Sequence, residues 1–471
     1  MAAISIDPFD EFGFTPTPKT AREAAIVVDR LSSLAPWLIR REVLELASLE
    51  EGMGRARRSR FERMARWSRL PRCRGAANVI FIARDESRAP DSPLRPACFL
   101  PLRWVKGADD SPGLPAALRG LAVQVRADMK DKLEDHEEWG LRFNGEYISE
   151  ELDLSSMKVG ADSAWASLAT ALLLATWRVL PRNDVAMSGA WTGDRGLIEV
   201  EGLEAKMKVA REFGCILFYA SSKEADRSTL DVPAGLDLRF YSEGDSPFEI
   251  LHPSLREFAV APTRKNGDKL EIRQKYANHL FTASWQDKLD RELYAMENLS
   301  EDLAEEMRAK NPEARELAKV ENLVLTLSSP SAQVLTTLVA RPARTLVFFT
   351  DDPEYRRAFD LYREHCPAPI RDGIVPAALP GDSKEDPSTR DRTYGMIQQR
   401  IHEFLASARD GSLSAVDITG GTKGMTAAAL LAACRAGAVM FHVDSIKIGA
   451  NNAFGTEKVR FVREIDPKLE K

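Results

Sequence analysis

The chain has few of the residues from which metal and disulfide scaffolds are built. Its five cysteines, Cys73, Cys98, Cys215, Cys366 and Cys434, are odd in number, scattered over 471 residues and without a Cys-x-x-Cys pair. That pattern indicates neither a disulfide framework nor a zinc site. The six histidines are equally scattered, and none has metal-ligand spacing, so no metal is expected. A Gly-x-x-x-x-Gly-Lys-Ser/Thr phosphate loop is missing from the whole sequence, which excludes the usual nucleotide-driven motor. There is no internal repeat and no low-complexity tract. Positive charge is not in excess: the formal net charge is −6, which argues against commitment to duplex DNA. The first residues are acidic rather than basic and apolar, and the small, apolar stretch 163–177 is too short and too dotted with Ser and Thr to span a bilayer. The expectation is a cytoplasmic protein with no membrane partner.

What is present is an ordinary globular composition, 44% hydrophobic, with length for two or three cored domains. Two features carry chemistry. Ser163 and Lys206 lie 43 residues apart, the first opening an apolar, Ala-rich helix and the second beside a stripe of Leu203, Met207, Ala210 and Gly214 at helical spacing. Lys208 falls on the opposite side of that helix. A serine hydroxyl is a poor nucleophile until a base takes its proton, and a lysine is such a base only when neutral, which requires burial. The first turn of the serine helix is expected to leave backbone N–H groups for an oxyanion. Taken singly, each residue has a plainer reading: Ser163 as a helix N-cap, Lys206 as a lysine whose ammonium snorkels to water.

The phrases Gly160-Ala161-Asp162-Ser163-Ala164 and Ser188-Gly189-Ala190-Trp191-Thr192, running on to Val200-Glu201-Gly202-Leu203-Glu204-Ala205-Lys206, resemble the proteolytic domain of Lon over about 77–245. The resemblance implies a Ser163–Lys206 dyad with Ser188 as the hydroxyl that orients the lysine. The chain departs from Lon at Ala161-Asp162, where Lon has a glycine–proline pair, and at Trp165, where Lon has glycine. Because the motor is missing, the implied protease cuts without ATP and needs no cofactor.

A second phrase, Asp417-Ile418-Thr419-Gly420-Gly421-Thr422-Lys423-Gly424-Met425, sits between an apolar strand 414–418 and an Ala-rich helix from about 425 to 435. Strand 322–327, turn 328–331, helix 332–339 and strand 345–349 give the same βαβ rhythm. In open parallel sheets, loops at the carboxyl ends of strands meet ligands, and paired glycines before a helix with Lys423 favour phosphate; as a bare pattern the glycine pair is also mere turn geometry. The full phrase resembles the CARF domains of type III CRISPR defence over about 321–465. That resemblance implies a cyclic oligoadenylate as allosteric activator, cyclic tetra-adenylate first, with contacts from Ser328, Ser329, Thr419, Gly420, Gly421, Thr422 and Lys423, and a homodimer holding the ring across a two-fold axis.

The expected fold class is therefore a multidomain α/β and α+β chain. It comprises an N-terminal arm (1–20) and helical region through 76, a Lon-like Ser-Lys protease domain at 77–255, a charged helical connector at 256–320 and a Rossmann-like parallel-sheet CARF domain at 321–471. The arginine-rich run Arg55 to Arg74 reads as a solvated helix face or as a docking surface for an acidic partner or nucleic acid. The function implied is a cyclic-oligoadenylate-activated serine endopeptidase cutting a partner such as a toxin, antitoxin or transcription regulator encoded nearby. The alternative is a catalytically inactive ligand-binding regulator whose Lon-like domain docks a protein.

Overall fold

The computed structural model describes residues 8–12, 15–82, 92–133, 138–221, 230–241, 244–281, 284–380, 387–420, 423–448 and 451–462. It combines helices with parallel and antiparallel sheets in two units, Met1–Ala261 and Pro262–Lys471. Among the described residues no helix is long and apolar enough to cross a membrane, and no cluster of three or more His, Cys, Asp or Glu side chains could hold a metal.

In the first unit, β1 (Ala76–Ile82), β2 (Ala97–Lys106) and β3 (Trp139–Phe143) form an antiparallel sheet in that order. A second, parallel sheet runs β4 (Val185–Ser188), β7 (Leu217–Ala220), β8 (Asp237–Phe240), with β5 (Ala190–Thr192) and β6 (Gly196–Ile198) pairing as a separate ribbon after β4. The helix Trp165–Thr176 is buried at every residue, as its unbroken small and apolar sequence requires. Two of its three hydroxyls are hydrogen-bonded, Thr176 donating to the Leu172 carbonyl at 3.0 Å and Ser167 to the Asn78 carbonyl at 3.2 Å, while Thr170 Oγ1 is buried with no partner among the described residues. The helix Leu203–Glu212 is the crossover between β4 and β7. It ends at Gly214, whose φ of +75° favours glycine and where a Cβ would stand 2.5 Å from the Ser68 carbonyl oxygen. Gly214 is thus the stop of the helix rather than part of its stripe.

Upstream, helices Ala21–Arg30, Arg41–Ser48 and Arg55–Ala65 pack successively on one another. Val27, Leu31, Leu34 and Leu38 are buried, but Ile26 is 50% exposed and Ala24 and Val28 take the inner face instead. The N-terminal arm is not wholly extended: Pro8–Phe12 is a short helix that buries Phe9 and Phe12, because Phe9 meets the edge of the Phe81 ring.

The second unit is built on a six-stranded sheet in the order β11 (Ile374–Leu379), β10 (Arg344–Thr350), β9 (Asn322–Thr326), β12 (Ser414–Asp417), β13 (Val439–Asp444), β16 (Lys458–Phe461). The first five are parallel and the last is antiparallel. A small ribbon of β14 (Lys447–Ile448) and β15 (Asn451–Asn452) interrupts the return. Val324, Leu346, Phe348 and Val416 share one core with Ile397, Ile401, Ala429 and Ala433 from helices Pro387–Ala406 and Lys423–Ala436. The charged helical stretch from Pro262 onward lies in this unit. Its helix Ser300–Lys310 buries Leu303, Ala304 and Met307 and packs against helix Pro330–Ala340, an amphipathic pattern that its acidic surface conceals in the sequence.

Candidate functional site

Ser188 is the last residue of β4, and the crossover helix that follows begins at Leu203, so Lys206 enters at the carboxyl end of that parallel strand, where α/β folds place their reactive groups. Gly202 caps the helix with φ +65°, and a Cβ there would come within 1.8 Å of Ile82 Cδ1. The left-handed φ is one that glycine adopts without strain, and a larger residue would also have to push the Ile82 side chain aside. Gly189, just past β4, is stapled to the serine turn: its N–H donates to the Ser163 carbonyl and its carbonyl accepts from the Ala166 N–H, both at 3.0 Å. A side chain at Gly189 would stand 3.0 Å from Ala166 Cβ and 3.1 Å from the Tyr241 ring.

These contacts bring three side chains together. Lys206 Nζ lies 3.0 Å from Ser163 Oγ and 3.1 Å from Ser188 Oγ. Lys206 is 3% exposed and Ser188 fully buried, whereas Ser163 is partly open to solvent. Loss of hydration at Nζ pulls the lysine from its ordinary 10.5 down to about 8, against the weaker opposing pull of the Glu201 carboxylate. Lys208, two residues on, is exposed and pairs with Asp231 at 3.7 Å. A neutral amine at this position accepts the Ser163 proton within ordinary hydrogen-bond reach.

The serine does not open the helix directly. A 3-10 turn, Asp162–Ala164, precedes Trp165. The Ala164 N–H is taken by the Ala161 carbonyl and the Ala166 N–H by Gly189, and Trp165 N–H goes to Asp162. The free first-turn donors expected from the sequence are therefore already paired, because the tighter turn and the returning β4 chain use them. Trp165 points into the unit, fully buried, with Nε1 donating to Asp128 at 2.9 Å and its ring stacked on Trp191 at 5.9 Å. Asp162 is exposed. Asp128, which anchors Trp165, has no signal in the local sequence.

In the second unit, β9 and β12 are parallel neighbours whose connections leave toward different strands. Their carboxyl-end loops meet. Thr326 Oγ1 donates to the Gly420 carbonyl at 2.6 Å, and a Cβ on Gly420 would lie 2.4 Å from the Thr326 carbonyl oxygen and 2.7 Å from Ser328 Oγ. Thr419 is held by Asp417: its N–H donates to Oδ1 at 2.8 Å, its hydroxyl donates to the same oxygen, and its Oγ1 accepts from the Val443 N–H at 2.8 Å. Burial pushes the Asp417 carboxyl up to about 6, with the Thr419 hydrogen bonds opposing. Ser328 is exposed, and Ser329 is committed to Glu292, whose Oε2 accepts from Ser329 Oγ at 2.6 Å and from the Ser331 N–H at 2.8 Å. Gly421 and Thr422 lie outside the described residues, and Lys423 is placed as the first residue of its helix. Gln333, in the first turns of the same helix, accepts from the Ser329 N–H at 3.0 Å, whereas Glu292 reaches Ser329 from 37 residues away and nothing local in the sequence marks it.

No family model matches the chain, and no curated protein does. Among solved structures, Can2 from Sulfobacillus thermosulfidooxidans in complex with cyclic tetra-adenylate is similar at 20% identity over 28% of this chain and 34% of that one, with a TM-score of 0.22. At that score the likeness decides nothing about fold or ligand.

The buried amine has a measurable cost. A displacement from 10.5 to about 8 corresponds to roughly 3 kcal/mol against the charged form. Since the folded state binds the proton less tightly than the unfolded one, the penalty is full below pH 8, and stability rises with pH between about 8 and 10.5. Lys206→Met is therefore expected to stabilise the chain at pH 7 by roughly 1–3 kcal/mol and to flatten that rise, read by denaturant melts at pH 7 and 10. A destabilised variant would show that the ammonium is well solvated.

Proposed function

We propose that this chain is a serine endopeptidase gated by a cyclic oligoadenylate, independent of ATP, that cuts a partner protein in type III CRISPR antiviral signalling. The observation that carries the catalytic half is the dehydrated Lys206 amine, held 3.0 Å from Ser163 Oγ and drawn to about 8. In this reading Lys206 takes the Ser163 proton as Oγ bonds to the scissile carbonyl carbon, then returns it to the departing amine nitrogen, leaving an acyl-enzyme. A water molecule then gives a proton to Lys206 as its oxygen bonds to the ester carbon, and Lys206 passes that proton to Ser163 Oγ as the ester bond breaks, freeing Ser163 and the carboxylic acid product. Ser188, buried and 3.1 Å from Nζ, holds the amine in line. With no nucleotide-hydrolysing loop in the sequence, the substrate has to offer an already exposed segment.

The sensing half is supported by the junction of the loops after β9 and β12. The start of helix Pro330–Ala340, where an anion is favoured, is filled by the carboxylate of Glu292. A phosphate-bearing ring reaching Ser329 has to displace that carboxylate, and Glu292 rides on helix Trp285–Asn298. Ligand entry and movement of this helix then become one event. The ring's symmetry fits a homodimer, with cyclic tetra-adenylate as the first ligand to test and a toxin, antitoxin or transcription regulator encoded nearby as the substrate. The second reading, an inactive regulator that docks a protein, is favoured by one observation: the N–H groups of Ala164, Trp165 and Ala166 are already paired.

Two outcomes are expected. Incubated with proteins encoded beside it and with an unfolded model substrate, the chain should cleave on addition of cyclic tetra-adenylate without ATP, with kcat/KM rising through about pH 8 as Lys206 loses its proton. Ser163→Ala and Lys206→Ala should each lose at least about 10³-fold, the pair no more than either alone, and cleavage by Ser163→Ala would refute the nucleophile. Glu292→Ala should tighten ligand binding and lower the ligand concentration for half-maximal cleavage, by about tenfold for one relieved charge contact; calorimetry showing weaker binding would make Glu292 a ligand contact instead of a competitor.

A further inference from the structure

Neither site uses the arginine-rich segment 55–74. Helix Arg55–Ala65 turns only Phe61 and Ala65 fully inward, and Arg58, Arg60, Arg63 and Arg66 are exposed. Beside them runs a groove of about 730 Å³ with Met64, Trp67, Tyr147 and Ile148 along its floor and Arg60 and Arg63 on one wall. Arg63 and Trp67 also line an adjoining hollow of about 410 Å³ with Arg66. Gly145, Tyr147, Ile148 and Ser149 of the turn 145–151 complete the lining; Glu146, Glu150 and Glu151 are exposed on that same turn, and Glu62 lines the adjoining hollow.

We propose that this groove docks an acidic, amphipathic segment of the protein substrate. The arginine wall supplies the charge complement, and the apolar floor takes alternate side chains of the segment. A nucleic-acid strand fits less well, because Glu62 in the adjoining hollow and the exposed Glu146, Glu150 and Glu151 of the bordering turn would repel a uniformly charged backbone, whereas a peptide keeps its carboxylates on the arginine side. Position supports the choice. Trp67 lies against Trp37 with ring centroids 5.0 Å apart, and Trp37 stacks at 5.3 Å on Phe213, just past the lysine helix. Downstream of Trp67, Arg74 Nη2 donates at 3.2 Å to the carbonyl of Ala175 near the end of the serine helix. Trp67 thus ties the groove through Trp37 to the end of the helix that carries Lys206. The substrate role rests on the protease reading above; the docking itself does not.

The experiment uses the full chain carrying Ser163→Ala, so that binding is read without cleavage. Fluorescence anisotropy is measured with a labelled 16-residue peptide of Glu, Leu and Ala, its Lys-for-Glu counterpart, and a 16-nucleotide single-stranded oligoadenylate. The acidic peptide should bind in a salt-sensitive way, the basic one should not, and Arg60→Glu/Arg63→Glu/Arg66→Glu should weaken the acidic peptide at least about tenfold, with unchanged circular dichroism. In the Ser163-containing protein the same triple reversal should leave labelling of Ser163 by a small acylating probe unaltered. Binding of the oligonucleotide in preference to the acidic peptide, equal binding of both peptides, or an undiminished triple variant each overturns the proposal. Peptide binding without any Ser163 labelling would instead fault the protease reading and leave the docking groove standing.

Discussion

The first unit is organised around keeping water from one ammonium group. Lys206 could reach solvent easily on its flexible stem, yet its nitrogen is shut between two hydroxyls. Much of the local sequence follows from that demand. The left-handed backbone at Gly202 suits glycine where the helix begins against Ile82, Gly189 leaves little room beside Ala166 and Tyr241 where the strand end meets the serine turn, and the serine helix is small or apolar at most positions because nothing on it faces solvent. A conflict between stability and reactivity is thereby built in: the amine that would be easier to fold around if solvated is a usable base only because it is not.

In the second unit a similar tension involves opposite charges. The loops at the carboxyl ends of β9 and β12 make a positively polarised place at the start of helix Pro330–Ala340, and the chain fills it with its own carboxylate. Asp417, with one oxygen buried and unpartnered among the described residues, braces the neighbouring loop through Thr419. Both carboxylates are held near loops for which an anionic visitor is proposed, so the visitor would be selected partly by what it must expel.

How much of this was legible depended on burial. Strands β9, β10 and β12 read to within a residue or two because strands covered on both faces are continuous apolar runs. The Ser163, Lys206 and Ser188 positions were legible from their phrases, and the inward side of Lys206 from its stripe. Edge strand β11 was not, since Val375 and Pro376 interrupt its pattern with exposed positions, nor was the helical character of Pro8–Phe12, whose only support is the distant Phe81. Glu292 and Asp128 act across the fold on residues far away in the chain, and no local periodicity encodes such a partnership. The pairing of the Ala166 N–H with Gly189 was illegible for the same reason.

Trp165 stands two residues from the serine, sealed from solvent and stacked on Trp191 of the β5–β6 ribbon. Two indoles so close and nearly parallel share their excited states, and their combined optical activity varies steeply with separation and tilt. The molecule therefore carries, beside its candidate nucleophile, an intrinsic chromophore pair whose near-ultraviolet dichroism and emission register any shift of that turn relative to the ribbon, without a label and without a substrate.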